Sequence, residues 1–160
     1  MIFRRHHIAS VVAVALTFAT VISACKPAGN SMNSWAEIEA SGWDYGSKLL
    51  FTPELTDSVA SGTLSVAICH DNRYPYNNLW LEIEVTDSLS TTLDTVNIVL
   101  ADKMGHWNGS GIGTDFQLQV PVIENLTINR PARFNVRHIM RDDNITGIQR
   151  IGLIFSENEQ

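Results

Sequence analysis

Apolar and polar residues alternate with a period of two through most of the chain beyond Gly42. Leu64, Val66 and Ile68 alternate with Ser65, Ala67 and Cys69, and Leu79, Leu81, Ile83 and Val85 with Trp80, Glu82 and Glu84. The same rhythm runs through Val96–Leu100, Phe116–Val120 and Phe134–His138, and closes with Ile151, Leu153 and Phe155; Lys48–Thr52 adds one further short run. A period of two sends successive side chains to opposite faces, so each run predicts a strand with one face on a core. Turn-forming residues fall between the runs, at Asp71-Asn72, Asp87-Ser88, Gly105–Gly113, Asn129-Arg130-Pro131 and Asp142-Asp143-Asn144. No helical period is sustained beyond about two turns. The pattern predicts an all-β domain over residues 42–160, an antiparallel two-sheet β-sandwich, jelly-roll-like, of about seven or eight strands.

The first 41 residues follow other rules. Arg4 and Arg5 precede an apolar run from Ile8 to Ile22, broken by Ser10, Thr17 and Thr20, and Ser23-Ala24-Cys25 ends it. A basic start, a short apolar stretch and small residues at its end make an export signal, expected over residues 1–24. The run is short of the roughly 20 apolar residues that a membrane span needs. Ile22-Ser23-Ala24-Cys25 also has the form of a bacterial lipobox, in which the cysteine thiol receives a diacylglycerol. Cys25 is therefore the expected lipidation site, and the membrane the expected partner of that lipid. Residues 25–41 begin Lys26-Pro27-Ala28-Gly29-Asn30, small and polar without periodicity, which reads as a lipid-anchored tether. Trp35-Ala36-Glu37-Ile38, inside it, fits a short helix or an extended docking segment equally well.

Removing residues 1–24, which hold two arginines and no acids, changes the balance. Lys plus Arg falls from 11 to 9 while Asp plus Glu stays at 17, so the remaining chain carries −8. That argues against nucleic acid or an anionic lipid surface as a partner. With Cys25 lipidated, Cys69 is the other cysteine of the chain and has no disulfide partner. Its place at the end of a strand-like run reads as a small buried hydrophobe.

Candidate chemistry is sparse. Gly109-Ser110-Gly111-Ile112-Gly113 lacks the helix and the Gly-Lys-Ser/Thr ending of a phosphate loop, and reads as a tight connection between strands. His70, Asp71, Asp102, His106 and Asp115 could ligate a metal if three or four converged, but nothing in their spacing requires it. No catalytic residue, metal or cofactor is expected. Aromatic residues flanked by amides occur at Tyr74-Pro75-Tyr76-Asn77-Asn78-Leu79-Trp80 and at His106-Trp107-Asn108. Two readings stay open: the rings plug the sandwich ends, or they form a platform on which sugars stack.

These same segments carry a resemblance. Tyr74–Leu81, the stretch Leu100-Ala101-Asp102-Lys103-Met104-Gly105-His106-Trp107-Asn108-Gly109-Ser110-Gly111-Ile112-Gly113, and Met140–Ile148 followed by Ile151-Gly152-Leu153 resemble, in order, segments of the GldH family of gliding-motility lipoproteins from Bacteroidetes. The likeness runs from about Trp43 to Phe155. Cys69-His70-Asp71-Asn72-Arg73 departs from the basic residue with His or Asn expected ahead of Tyr-Pro-Tyr. Lys26-Pro27 lacks the acidic cluster associated with surface display in this phylum, which points to an outer-membrane lipoprotein facing the periplasm. The resemblance implies a non-enzymatic component of a gliding and secretion assembly, acting by contact with envelope proteins. Trp80, Trp107 and the loop with Gly105, Gly109, Gly111 and Gly113 are the expected contact surface. The alternative is a glycan-binding module of a polysaccharide-uptake system.

Overall fold

Eleven strands and no helix make up residues 30–158, which are the residues described by the computed structural model. They are β1 (Met32–Glu37), β2 (Trp43–Asp44), β3 (Leu49–Phe51), β4 (Val59–Asp71), β5 (Asn78–Thr86), β6 (Thr91–Val99), β7 (Ser110–Ile112), β8 (Asp115–Asn129), β9 (Arg133–His138), β10 (Asn144–Ile145) and β11 (Ile148–Glu157). Five form one antiparallel sheet in the order β1-β11-β4-β8-β7, four form the facing sheet in the order β3-β9-β5-β6, and β2 pairs with β10. The predicted sandwich is thus the observed fold. The signal segment 1–24, Cys25 and the start of the tether lie outside the described residues.

The period of two explains the layers. In β4, Leu64, Val66, Ile68 and His70 face inward; in β5 it is Leu79, Leu81, Ile83 and Val85, and in β9 Phe134, Val136 and His138. Register delivers these rows to one another: Val66 lies opposite Leu153 on one side and Val120 on the other, and Ile83 opposite Val136. Fully burying each such aliphatic side chain contributes about 1.5–3 kcal/mol. Leu64, Ile68, Leu81, Ile83, Phe134, Ile151 and Phe155 are all fully buried.

Two expectations need correction. Residues 32–37 are not tether: β1 is an edge strand paired with β11 from Met32↔Phe155 to Glu37↔Arg150, so the sandwich begins at Met32 and not at Gly42. Its inward residues after Met32 are only Ser34 and Ala36, too small to register as an apolar stripe. On its outer side Trp35 lies against Gly152, where any added Cβ would meet the indole ring at 2.9 Å. The segment that fitted helix or extended chain equally is therefore extended. The strand count also exceeds eight, because β2, β7 and β10 are only two or three residues long and show no measurable alternation.

Connections collect at two ends. At the base, Asn129 donates from both its backbone and its side-chain amide to Asp87 Oδ2, at 2.9 and 2.8 Å, and Arg130 N–H donates to Ser58 O. At the top, Asp71 N–H donates to Gly147 O, and Leu100 and Ala101 N–H both donate to Asn77 O. Asn30 is at the base, completely buried. Its Nδ2 donates to Asp57 Oδ2 and Glu157 Oε1, its N–H to Glu157 Oε2, and its Oδ1 accepts from the N–H groups of Thr56 and Asp57 and from the Thr56 hydroxyl.

Candidate functional site

The top end gathers the aromatic and glycine segments singled out in the sequence. β4 delivers His70 to the core and then turns at Asp71, whose carboxylate accepts three hydrogen bonds of 2.7–3.2 Å from the Arg73 guanidinium and one of 2.8 Å from Arg73 N–H. The Arg73 guanidinium is the main reason the Asp71 carboxyl lies below the usual carboxylate range. The chain then places Tyr74 in the core, its hydroxyl donating to Asn78 O at 2.7 Å. Tyr76 packs edge-on against Tyr74, and its hydroxyl donates to Asp142 on the β9–β10 connection. Gly147 comes so close to Tyr74 that a Cβ there would meet the Tyr74 backbone, and its φ is +88°.

Trp107 is half-buried. Its ring lies edge-on to His70 at 4.6 Å between centroids and tilts against Phe116 at 6.0 Å, while Nε1–H donates to Asn72 Oδ1 at 2.9 Å. The loop around it is a built turn. Asp102 Oδ1 accepts from the N–H groups of Met104 and His106, at 2.8 and 2.9 Å, and Oδ2 pairs with His106 Nδ1 at 3.0 Å. Gly105, Gly109 and Gly113 have φ of +86°, +90° and +68°, the left-handed region that suits glycine. Gly111 is needed for a different reason: a Cβ there would lie 2.7 Å from the Phe116 ring.

This loop exposes two apolar side chains that the sequence reading passed over, Met104 at 85% and Ile112 at 91%. The signal was present in Gly111-Ile112-Gly113, where a branched residue flanked by glycines has nothing of its own strand to hide behind. Trp80 lies near the top end of β5, in the facing sheet. It is 40% exposed on the outer face of its sheet, opposite Asn97, and its strand neighbour Asn78 pairs with Val99, itself 53% exposed. The Trp80 N–H is directed at Met140 Sδ, 3.3 Å away, and Trp80 O accepts from Ile139 N–H at 2.9 Å.

The residues considered for a metal are not brought together. His70 faces the core, Asp71 is held by Arg73, Asp102 and His106 hold each other on the surface, and Asp115 accepts from Gln149 at 2.9 Å. Among the described residues no three His, Cys, Asp or Glu side chains converge. Cys69 and His70 are successive residues of one strand and point to opposite faces, so they cannot form a thiolate–imidazole pair. The Cys69 thiol meets Arg150 Nη2 at 3.4 Å and Gln117 Oε1 at 3.8 Å, on the floor of an open groove of about 500 Å³ beside β7.

Two histidines are fully buried at this end. His70 has only a long contact from Nδ1 to Asp71 O, 3.4 Å, and its Nε2 has no partner; neither ring nitrogen of His138 has one. His138 sits edge-on to Trp43 at 5.3 Å and Tyr45 at 5.8 Å. Burial holds both imidazoles below their ordinary pKa, against the opposing pull of Asp71 on His70 and, on His138, of the Trp43 backbone first and Asp44 next. Of the four rings that a sugar platform would need, Tyr74 is buried and Trp107 and Tyr76 are packed into this cluster, so Trp80 alone stands free.

The chain matches the GldH lipoprotein family over residues 30–154, nearly the whole folded domain. It belongs to that family. Membership carries with it membrane anchoring and a link to gliding motility, and the GldH lipoproteins are not a known enzyme family. No curated protein sequence matches the chain. Among solved structures it is similar to an exo-β-1,3-galactanase from Phanerochaete chrysosporium (14% identity, TM-score 0.36, covering 79% of this chain and 27% of that one). It is also similar to the Eiger TNF of S. frugiperda (11%, 0.34, covering 80% and 88%) and to dimeric latent PorU from Porphyromonas gingivalis (14%, 0.33, covering 81% and 13%). The chain thus spans about a quarter of the galactanase and an eighth of PorU. At these scores the likenesses bear on no functional argument.

Proposed function

We propose that this GldH-family protein is a non-enzymatic outer-membrane lipoprotein, held on the periplasmic side by a lipid on Cys25 and acting by contact with other envelope proteins of a gliding and secretion assembly. In this reading residues 1–24 are the export signal. The contact surface is the top end of the sandwich, centred on the Gly105–Gly113 loop and Trp80. The observation that carries it is the exposure of Met104, on the turn held by Asp102, and of Ile112, at the end of β7 where Gly113 turns the chain into β8. Exposed apolar side chains on a preorganised loop keep their ordering cost low, and such side chains anchor protein interfaces. Trp107 supports the loop from beneath and is not itself the anchor.

Complementing a gene deletion with Met104→Ser/Ile112→Ser tests this. The variant should fold as the native protein does and fail to restore colony spreading and secreted cargo. Full restoration by it, at native abundance, would sink the assignment of the surface. Equal phenotypes in the deletion and the parent would sink the gliding role itself.

A further inference from the structure

We propose that the sandwich stands on its base, with the Asn30 end toward the bilayer and the Met104–Ile112 end held away from it. The proposal rests on the reading of Cys25 as the lipidated residue. Five residue steps separate Cys25 from Asn30, and an extended chain covers at most about 3.6 Å per step, so the base lies within roughly 18 Å of the anchored sulfur. Asn30 is a fixed point, because six hydrogen bonds tie it to Thr56, Asp57 and Glu157. The opposite end is much farther. β4 climbs from Val59 at the base to Asp71 at the top, twelve steps of about 3.3 Å, or roughly 40 Å.

A tether that reaches 18 Å cannot turn a 40 Å domain upside down. The loops at the top cannot face the bilayer while the base points away. Lying flat is the remaining alternative, and charge opposes it. The chain beyond residue 24 carries −8, from 9 Lys plus Arg against 17 Asp plus Glu, which anionic headgroups repel. Upright, the domain carries Trp80, Met104 and Ile112 several Debye lengths clear of the headgroups, where a protein partner, and not lipid, meets them.

The full-length lipidated protein in vesicles of phosphatidylethanolamine and phosphatidylglycerol gives the test. A donor dye is placed on Leu89→Cys, in the exposed β5–β6 turn at the base, or on Ile112→Cys at the top, each in a Cys69→Ala background, with an acceptor dye on lipid headgroups. Transfer should be at least threefold greater from position 89 than from position 112. Equal transfer means a domain lying flat, and greater transfer from 112 an inverted one; either overturns the proposal. Inserting a flexible Gly/Ser stretch after Lys26 should shrink the contrast, and a contrast unchanged by it overturns the short tether as the cause. Flotation separates the two readings: if the native chain stays with the aqueous fraction as Cys25→Ser does, the anchor itself is wrong and the orientation falls with it.

Discussion

The two ends of the sandwich are built by the same strands yet closed by different chemistry. At the base, amides and carboxylates do the closing: Asn30 bridges three residues, and Asp87 accepts from Asn129, Leu89 and Ser90. At the top, rings and glycines join the carboxylates of Asp71 and Asp102: Trp107 on His70 and Phe116, Tyr74 on Tyr76, and the left-handed turns at Gly105, Gly109, Gly113 and Gly147. A polar closure fixes where a chain enters, because each hydrogen bond is directional. An aromatic closure fills the end of the sandwich core while leaving the loop above it free to present side chains outward. The base therefore fits the proposed attachment and the top the proposed contact surface.

The sharpest way to break this contrast is at Gly147. Gly147→Val introduces a β-branched residue at φ +88° and drives its Cβ into the Tyr74 backbone, which should cost more than about 3 kcal/mol and abolish the top end. Urea denaturation measures it; a loss below 1 kcal/mol would mean the top connections are not interlocked as described. Asn30→Ala attacks the other end. It strands two backbone donors, Thr56 and Asp57 N–H, and should cost about 1–3 kcal/mol, with hydrogen exchange rising in the 52–58 loop and not at the top.

Acid should separate the ends by pH. Burial depresses the pKa of His70 and His138 in the folded state, so the unfolded chain takes up protons first. Their contribution to stability is complete above the ordinary imidazole value of about 6.5 and is lost as pH falls below it, by at most about 1.4 kcal/mol per pH unit for each. Asp87 is depressed by hydrogen bonds, first from the Asn129 side chain, so its contribution is present above the ordinary carboxyl value and lost only below it. Thermal melts between pH 7.5 and 4.5 should thus show a slope that His138→Phe reduces and Asp87→Asn does not. The smallest effect belongs to Met104→Ser/Ile112→Ser, which should move stability by no more than about 0.5 kcal/mol, as exposed sites do. A larger loss in a melt would show that these side chains are structural after all.

Much of the fold was legible because burial on one face writes itself as a period of two. Every long run in β4, β5, β8, β9 and β11 was visible, and so was the turn chemistry at 105–113. β1 was not, because Ser34 and Ala36 fill its inward positions and its pairing with β11 is held by backbone bonds that any sequence can make. The phase of β8 was readable, but its half-burial was not: β6 lies at the edge of the facing sheet and leaves Phe116, Leu118 and Val120 incompletely covered. For the site, the segments were legible and the roles were not. Trp80 and Trp107 look alike in the chain, yet one stands on an outer face and the other lies under a loop.

What the sequence by itself determined is what depends on neighbours along the chain: strand phase, turn positions, acidic charge and the Ile22-Ser23-Ala24-Cys25 pattern on which the proposed lipidation rests. What the tertiary structure alone decided is which of these residues meet. Asn30 reads as linker and becomes the pin of the base. Met104 and Ile112 read as ordinary hydrophobes and become the most exposed apolar groups at the top. The reason is physical: alternation is a local consequence of backbone geometry, whereas exposure and hydrogen-bond partnership depend on chain segments up to 127 residues apart arriving at the same end of the sandwich.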